Sequence, residues 1–237
     1  MCGRFALFAT PVEVGDLFGA PPVEWPPRYN IAPTHPVLAC RLNSATAARE
    51  LVPLRWGLVA SWSCDLSAGV KAINARAETV ADLPTFRAAF KARRCLIPAS
   101  GYYEWKHEGE AKQPYFIRAR GGGLFAFAGL WDVWAKGAAP VESCAILTTT
   151  ANDATRQLHE RMPVILAPES FAAWLDPLTP PPALHDLLRP CPAERIALHP
   201  VAPLVGNVRN DGPELVAPAA PRGLFGLVAH GRRSPRD

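Results

Sequence analysis

What the sequence lacks sets its class first. None of its 237 residues lies in an apolar run approaching ~18 residues, the length a bilayer-spanning helix needs. The first residues also hold no apolar signal-peptide core. A soluble, cytoplasmic chain without a membrane partner is the expectation. The six cysteines, Cys2, Cys40, Cys64, Cys95, Cys144 and Cys191, stand singly, with no C-x-x-C pair and no histidine at ligand spacing. That pattern argues against structural zinc and against a secreted disulfide framework, so neither metal nor cofactor is expected. A surplus of charge is missing too. The net charge is +4, but Arg222, Arg232, Arg233 and Arg236 against Asp237 give residues 217–237 a charge of +3, while the remaining 216 residues carry 21 basic and 20 acidic side chains. A globally basic body is therefore excluded, and any nucleic-acid site must be a local basic patch.

What is there is an apolar content of 49%, enough for one domain with a real core. The reading is a domain over residues 1–216 and a disordered tail over 217–237, rich in proline, arginine and glycine. Thr10-Pro11-Val12-Glu13 reads as an N-cap and first turn of a helix running to Phe18 and closed by Gly19. The prolines of residues 21–27 forbid regular structure, and Arg28 to Thr34 reads as a polar and aromatic loop. Strands are expected at 36–42 and 51–59, with Ser61-Trp62-Ser63 on a loop. The Lys71–Thr79 run alternates and then enters a helix with Leu83, Phe86 and Phe90 on its apolar face. Its basic face, Arg87, Lys91, Arg93 and Arg94, is of a kind usually just solvated. Arg94–Pro98 and Gly101–Trp105 read as two short strands around a turn, and residues 114–119, 124–131 and 142–149 continue the strand pattern. Asn152–Leu158 has helical spacing, helices are expected at 168–176 and 180–189, and a strand near 195–201.

Three positions carry chemistry. Removal of Met1 would leave Cys2 with a free α-amine beside its thiol. The amine titrates near ~7.7–8.0 and a free thiol near ~8.5, whereas a lysine amine sits near ~10.4. Such a 1,2-aminothiol condenses with an aldehyde, first to an imine and then to a five-membered thiazolidine. Glu104 sits between aromatics in an otherwise apolar strand, where it either faces solvent by alternation or occupies a pocket for a purpose. His159 emerges where Pro163 stops a helix, a position that also simply favours the helix dipole. Trp56 reads as a core anchor, while Trp62, among small polar residues, fits a core or a base-stacking role equally.

Taken together and in order, these stretches resemble one family, the SRAP (SOS-response-associated peptidase) domain proteins, which include abasic-site processing proteins. The resemblance rests on Met1-Cys2-Gly3-Arg4-Phe5, Arg28 to Thr34, Trp56-Gly57 with Ser61-Trp62, and Asn74-Ala75-Arg76-Ala77-Glu78-Thr79. It continues through Pro98 to Trp105, His159-Glu160-Arg161-Met162-Pro163, His199-Pro200-Val201 and Gly206-Asn207-Val208. It covers roughly residues 2–216 and leaves the tail outside.

The resemblance implies an α+β single domain with a β-rich, mostly antiparallel, barrel-like core, short flanking helices and a positively charged cleft. It also implies covalent capture of abasic sites in single-stranded DNA, at single-strand/double-strand junctions among others, by a monomer. Cys2 would be the nucleophile once Met1 is gone; with Met1 in place the mechanism is blocked. Asn74, Glu104 and His159 would complete the site. Arg4, Arg28, Arg76 and Arg161 are the candidates for phosphate contacts, and Trp62 and Trp105, with Pro33, for stacking on or wedging between bases. Competing readings are a thiol peptidase or autopeptidase using Cys2, Glu104 and His159, strand cleavage by β-elimination, and a non-covalent single-strand binding module in which Cys2 is incidental.

Overall fold

The computed structural model describes residues 2–109 and 111–219. In chain order the elements are β1 (Phe5–Leu7), α1 (Pro11–Phe18), β2 (Arg28–Ile31), β3 (Pro36–Leu42), β4 (Arg49–Trp56), β5 (Asn74–Arg76), α2 (Arg87–Ala92), β6 (Arg94–Ala99) and β7 (Gly101–Glu108). They continue with β8 (Ala111–Ala119), β9 (Phe125–Trp134), β10 (Val141–Thr150), β11 (Arg161–Pro163), β12 (Ile165–Leu166), α3 (Phe171–Leu175), α4 (Pro181–Asp186) and β13 (Ile196–Pro200). This is the α+β, β-rich architecture that the sequence implies. Among the described residues no helix is long and apolar enough to cross a membrane.

Five strands close into a barrel. β10 pairs with β4 in parallel, and β4–β3, β3–β6, β6–β9 and β9–β10 follow antiparallel, so the ring returns to β10. β6 is buried at every position, as are Phe125–Leu130 of β9 and Ser143–Thr149 of β10. Burial on both faces explains why these strands read as near-continuous apolar runs. The close fit leaves no room at Gly129, where a Cβ would come within 2.8 Å of Cys95 Sγ and 3.0 Å of Ile97 Cδ1.

A second, wholly antiparallel sheet, ordered β13-β8-β7-β1-β2, lies against the barrel. Aromatic rings fill the seam. Phe5 meets Trp56 and Phe127 with ring centroids 5.2 and 6.0 Å apart, and Tyr102 meets Phe127 at 6.0 Å. The opposite face of this sheet carries a smaller core of Ala6, Tyr103 and Phe116, covered by Val201, Val205 and Leu215 from the C-terminal segment. Since side chains alternate along a strand, Glu104 shares the barrel-facing side of β7 with Tyr102.

Several sequence expectations hold closely. Thr10 caps α1: its hydroxyl accepts from Glu13 N–H at 3.3 Å while Glu13 Oε2 accepts from Thr10 N–H at 2.7 Å, and Gly19 ends the helix at φ 60°. Others are corrected. Residues 28–31, expected in a loop, form β2 on the edge of the second sheet. The strand expected at 51–59 ends at Trp56, because Gly57 turns the backbone to φ 122°. The 152–158 segment is a series of turns, since Asn152 Oδ1 takes both the N–H and the hydroxyl of Thr155 at 3.1 Å and competes with helical bonding. Pro84, which has no N–H, delays α2 to Arg87. The helices expected at 168–176 and 180–189 shorten to α3, after a single 3-10 turn, and α4. β6 and β7 are not a hairpin: the chain passes between the two sheets at Ser100, whose N–H donates to Ala6 O at 2.8 Å. Residues 217–219, assigned to the tail, are tied to the domain through a Val201–Pro218 bridge and Ala219 N–H to Pro200 O at 2.8 Å. The rest of that tail lies outside the described residues.

Adding one methyl group at Gly129 tests how tightly the barrel is packed. Gly129→Ala is expected to cost about 1–3 kcal/mol by overpacking, read as a lower midpoint in urea unfolding, and Cys95→Ala in the same chain is expected to recover part of it.

Candidate active site

Cys2 opens the site. It is fully buried, packed with the main core, although it lies at the very start of the chain. The β1–β7 pairing explains this depth. Phe5 pairs with Tyr102, Arg4 O accepts from Tyr103 N–H at 2.9 Å, and the continuing register carries the first residues alongside Glu104. Burial pushes the Cys2 thiol far above its ordinary pKa, and the nearby Glu104 carboxylate pushes it in the same direction. Glu104 is itself buried, which raises its carboxyl above the ordinary range; the Trp105 backbone N–H works the other way.

Asn74 comes from β5, on one edge of β10, where it pairs with Ile146. Its Nδ2 donates to Cys2 O at 2.8 Å. Its Oδ1 is buried and accepts no hydrogen bond among the described residues. His159 ends the turn segment, its N–H donating to Thr155 O at 3.2 Å. Arg161 N–H donates to His159 Nδ1 at 2.9 Å. A neutral ring with Nδ1 as acceptor carries its proton on Nε2. Desolvation lowers the His159 pKa, by more than the neighbouring Glu160 carboxylate raises it.

A buried hydroxyl lies between the turn segment and the strand. Tyr102, fully buried, is shifted upward by burial and then by Cys2, Glu104 and Cys191, and the Thr155 hydroxyl partly offsets this. Its oxygen makes no hydrogen bond of good geometry among the described residues. Cys2, Glu104, Tyr102 and the segment leading to His159 thus form one neighbourhood, with Asn74 at Cys2. No group of three or more His, Cys, Asp or Glu that could hold a metal ion occurs among the described residues.

The model of the SOS response associated peptidase (SRAP) family matches residues 1–208. The chain belongs to the SRAP family. It is similar to the abasic site processing protein YoqW of Bacillus subtilis (strain 168), at 40% identity over 223 residues, 91% of this chain and 99% of that protein. It is also 35% identical over 224 residues to the abasic site processing protein HMCES of Gallus gallus, covering 81% of this chain and 66% of that one. A crystal structure of a protein from Bacteroides thetaiotaomicron superposes with a TM-score of 0.82 at 25% identity, over 92% of this chain and all of that one.

The remaining expected contact residues of this SRAP domain differ in how free they are. Arg76 is exposed, and its side chain makes no ion pair or hydrogen bond among the described residues. Arg4 donates Nη1 to Asn30 Oδ1 at 2.7 Å and to Val205 O at 2.9 Å, and its guanidinium lies 6.0 Å from the Trp105 ring. Arg28 is engaged by Asp211 and, at 3.2 Å, by His35 Nδ1. Arg161 is buried, gripping Glu78 through both η nitrogens at 3.0 and 2.9 Å and Thr148 O at 2.6 Å. Both Arg28 and Arg161, expected at phosphates, are thus occupied by carboxylates of the chain itself. Pro33 sits half-buried in the turn between β2 and β3.

Trp62 is 58% exposed, yet its loop is held firmly. Asp132 Oδ2 accepts from Ser61 N–H at 3.1 Å, Ser63 O from Trp134 Nε1 at 3.0 Å and Trp62 O from Lys136 Nζ at 2.8 Å. Glu78, Tyr102 and Thr155 are the residues that sequence reasoning did not single out. Glu78 and Tyr102 lie inside quoted motifs, but nothing in their spacing says what they face.

The shift at Cys2 gives a direct check. Under native conditions near pH 8, iodoacetamide is expected to modify exposed Cys64 well before Cys2. Removing the carboxylate charge with Glu104→Gln is expected to move the Cys2 alkylation profile to lower pH, because that charge holds the thiol protonated. Mass spectrometry of the modified peptides reads both.

Proposed function

We propose that this protein captures abasic sites in single-stranded DNA, junctions with duplex among them, as a covalent thiazolidine at Cys2 once Met1 has been removed, and so shields the lesion. The reading is supported by the names of its relatives and by one observation above all. Cys2 is buried beside Glu104 with Asn74 bonded to its carbonyl. A merely structural cysteine gains nothing from a carboxylate next to it.

The proton bookkeeping suits that trio. The Cys2 amine adds to the aldehyde of the ring-opened sugar, and the amine proton passes to oxygen to give a carbinolamine. Glu104, protonated over a wider pH range because it is buried, gives its proton to the hydroxyl, which leaves as water and leaves an iminium. The sulfur attacks that carbon as a neutral thiol, since burial and Glu104 disfavour the thiolate. As the C–S bond forms, the Glu104 carboxylate takes the thiol proton and the ring closes. One water is lost and nothing is oxidised or reduced. Glu104 ends as it began, which also lets the same group run the reaction backwards.

Asn74 Oδ1, a buried acceptor with no partner among the described residues, suits the Cys2 amine whose carbonyl Nδ2 already holds. His159, with its proton on Nε2, suits hydrogen bonding to a sugar oxygen without adding charge. Arg76 and the pinned, exposed Trp62 suit the strand, one for a phosphate and the other for a base face.

The test is a denaturing gel of protein verified to begin at Cys2, mixed with a single-stranded oligonucleotide carrying one abasic site. A heat-stable shifted band that needs the lesion and disappears in Cys2→Ala is the expected result. Glu104→Gln is expected to slow its appearance by on the order of 10²-fold or more. Strand scission without a band would make the protein a lyase, and lesion binding that survives in Cys2→Ala without any band would make it a non-covalent binder. Trp62→Ala is expected to weaken binding of a lesion-free strand by about 1–3 kcal/mol, measured by fluorescence anisotropy.

A further inference from the structure

Two segments that deliver functional side chains flank the same end of β10. Thr148 pairs with Arg76 of β5 and with Pro163 of β11, so β5 and β11 lie on opposite edges of that strand. Asn74 is on β5; His159 lies two residues before β11 begins at Arg161. No backbone hydrogen bond can join β5 to β11 across an intervening strand. A side chain does it instead. The Arg161 guanidinium accompanies β10, donating to Thr148 O at 2.6 Å, and reaches Glu78, two residues beyond β5, with bonds of 3.0 and 2.9 Å. The other end of Arg161, its backbone N–H, holds His159 Nδ1 at 2.9 Å.

We propose that Glu78 is a positioning residue for His159: by holding the Arg161 guanidinium across β10 it keeps the Arg161 N–H on His159 Nδ1, and so keeps the ring proton on Nε2. The physical ground is the burial of Arg161. Its side chain is 10% exposed whereas that of Glu78 is 49% exposed, so the carboxylate reaches in from the surface to compensate a buried cation. Without it the guanidinium is left buried and uncompensated, a costly state that side-chain and local backbone rearrangement relieve. β11 is three residues long and paired with β10 alone. Beyond it the chain is anchored, Val164 N–H donating to Leu147 O and Val164 O accepting from Ala128 N–H, both at 2.9 Å, so the movement falls on the side of Arg161 that leads back to His159, where the Ala151 N–H bond to Glu160 O at 2.8 Å ties the backbone. A freed His159 ring has no reason to keep one tautomer.

The consequence for capture rests on the role proposed above for His159, but the first measurement does not. In protein without DNA, long-range ¹H–¹⁵N correlation spectra report the His159 tautomer. The wild type is expected to show the Nε2–H form, Glu78→Ala both forms, and Glu78→Gln, which keeps one acceptor, an intermediate ratio. With an abasic oligonucleotide, Glu78→Ala is expected to slow crosslinking on the order of tenfold, part of the roughly 10²–10⁴ that a positioned proton-transfer group contributes, while binding of a lesion-free strand is not weakened. A wild-type His159 signature in the folded Glu78→Ala protein, or in Glu78→Gln should the alanine variant not fold, overturns the proposal. If the wild type itself forms no crosslink, the reading of function fails, and the tautomer comparison still decides the role of Glu78.

Discussion

The pairing of β1 with β7 is the interaction on which the site depends. A chain terminus is ordinarily the least ordered part of a domain unless a sheet takes it up. Here the fifth residue is a phenylalanine wedged between Trp56 and Phe127, and the register that it fixes runs back through Arg4 to the first residues. The aromatic seam between barrel and sheet is what turns a flexible end into a fixed one. The same seam determines which face of β7 looks inward, and with it the burial of Glu104.

That burial has opposing effects on reactivity. Desolvation raises the Glu104 carboxyl into a range where it can hold a proton closer to neutrality, which favours dehydration chemistry. It also raises the Cys2 thiol, which disfavours a thiolate attacking first. In the capture proposed for Cys2, the two shifts together favour an order of events in which nitrogen acts before sulfur. His159 completes the pattern with the opposite sign, since desolvation favours its neutral form, a donor that brings no added charge.

Local signals were legible in the sequence and long-range ones were not. Thr10, Pro11, Glu13 and Gly19 specify α1 by themselves because capping is settled within a few residues. The alternation and apolar runs of β3, β8, β9 and β10 gave strands near their observed bounds. The motifs that carry Cys2, Asn74, Glu104 and His159 were visible as residue types without a geometry. What could not be read was pairing. Arg4, Arg28 and Arg161 look like free cations in the sequence, but their partners Asn30, Asp211 and Glu78 are far along the chain or across a strand. Helical spacing over 152–158 was overridden by one side chain, Asn152, that bonds locally instead.

The edge of β10 that carries β4 and β5 in series has a further consequence. The chain leaves that edge where Gly57 N–H donates to Cys144 O at 2.8 Å and returns where Ile146 N–H donates to Ile73 O at 3.0 Å. Residues 57–73, with Trp62 among them, are thus an excursion whose two ends are soldered to neighbouring rungs of one strand. Leu58, Val59, Ala60 and Ala72, at its two ends, are buried with the core, whereas Trp62, Leu66 and Val70 between them are exposed. Evolution, or a protein engineer, can vary those exposed positions, altering what the surface grips while the paired ends keep Asn74 in register.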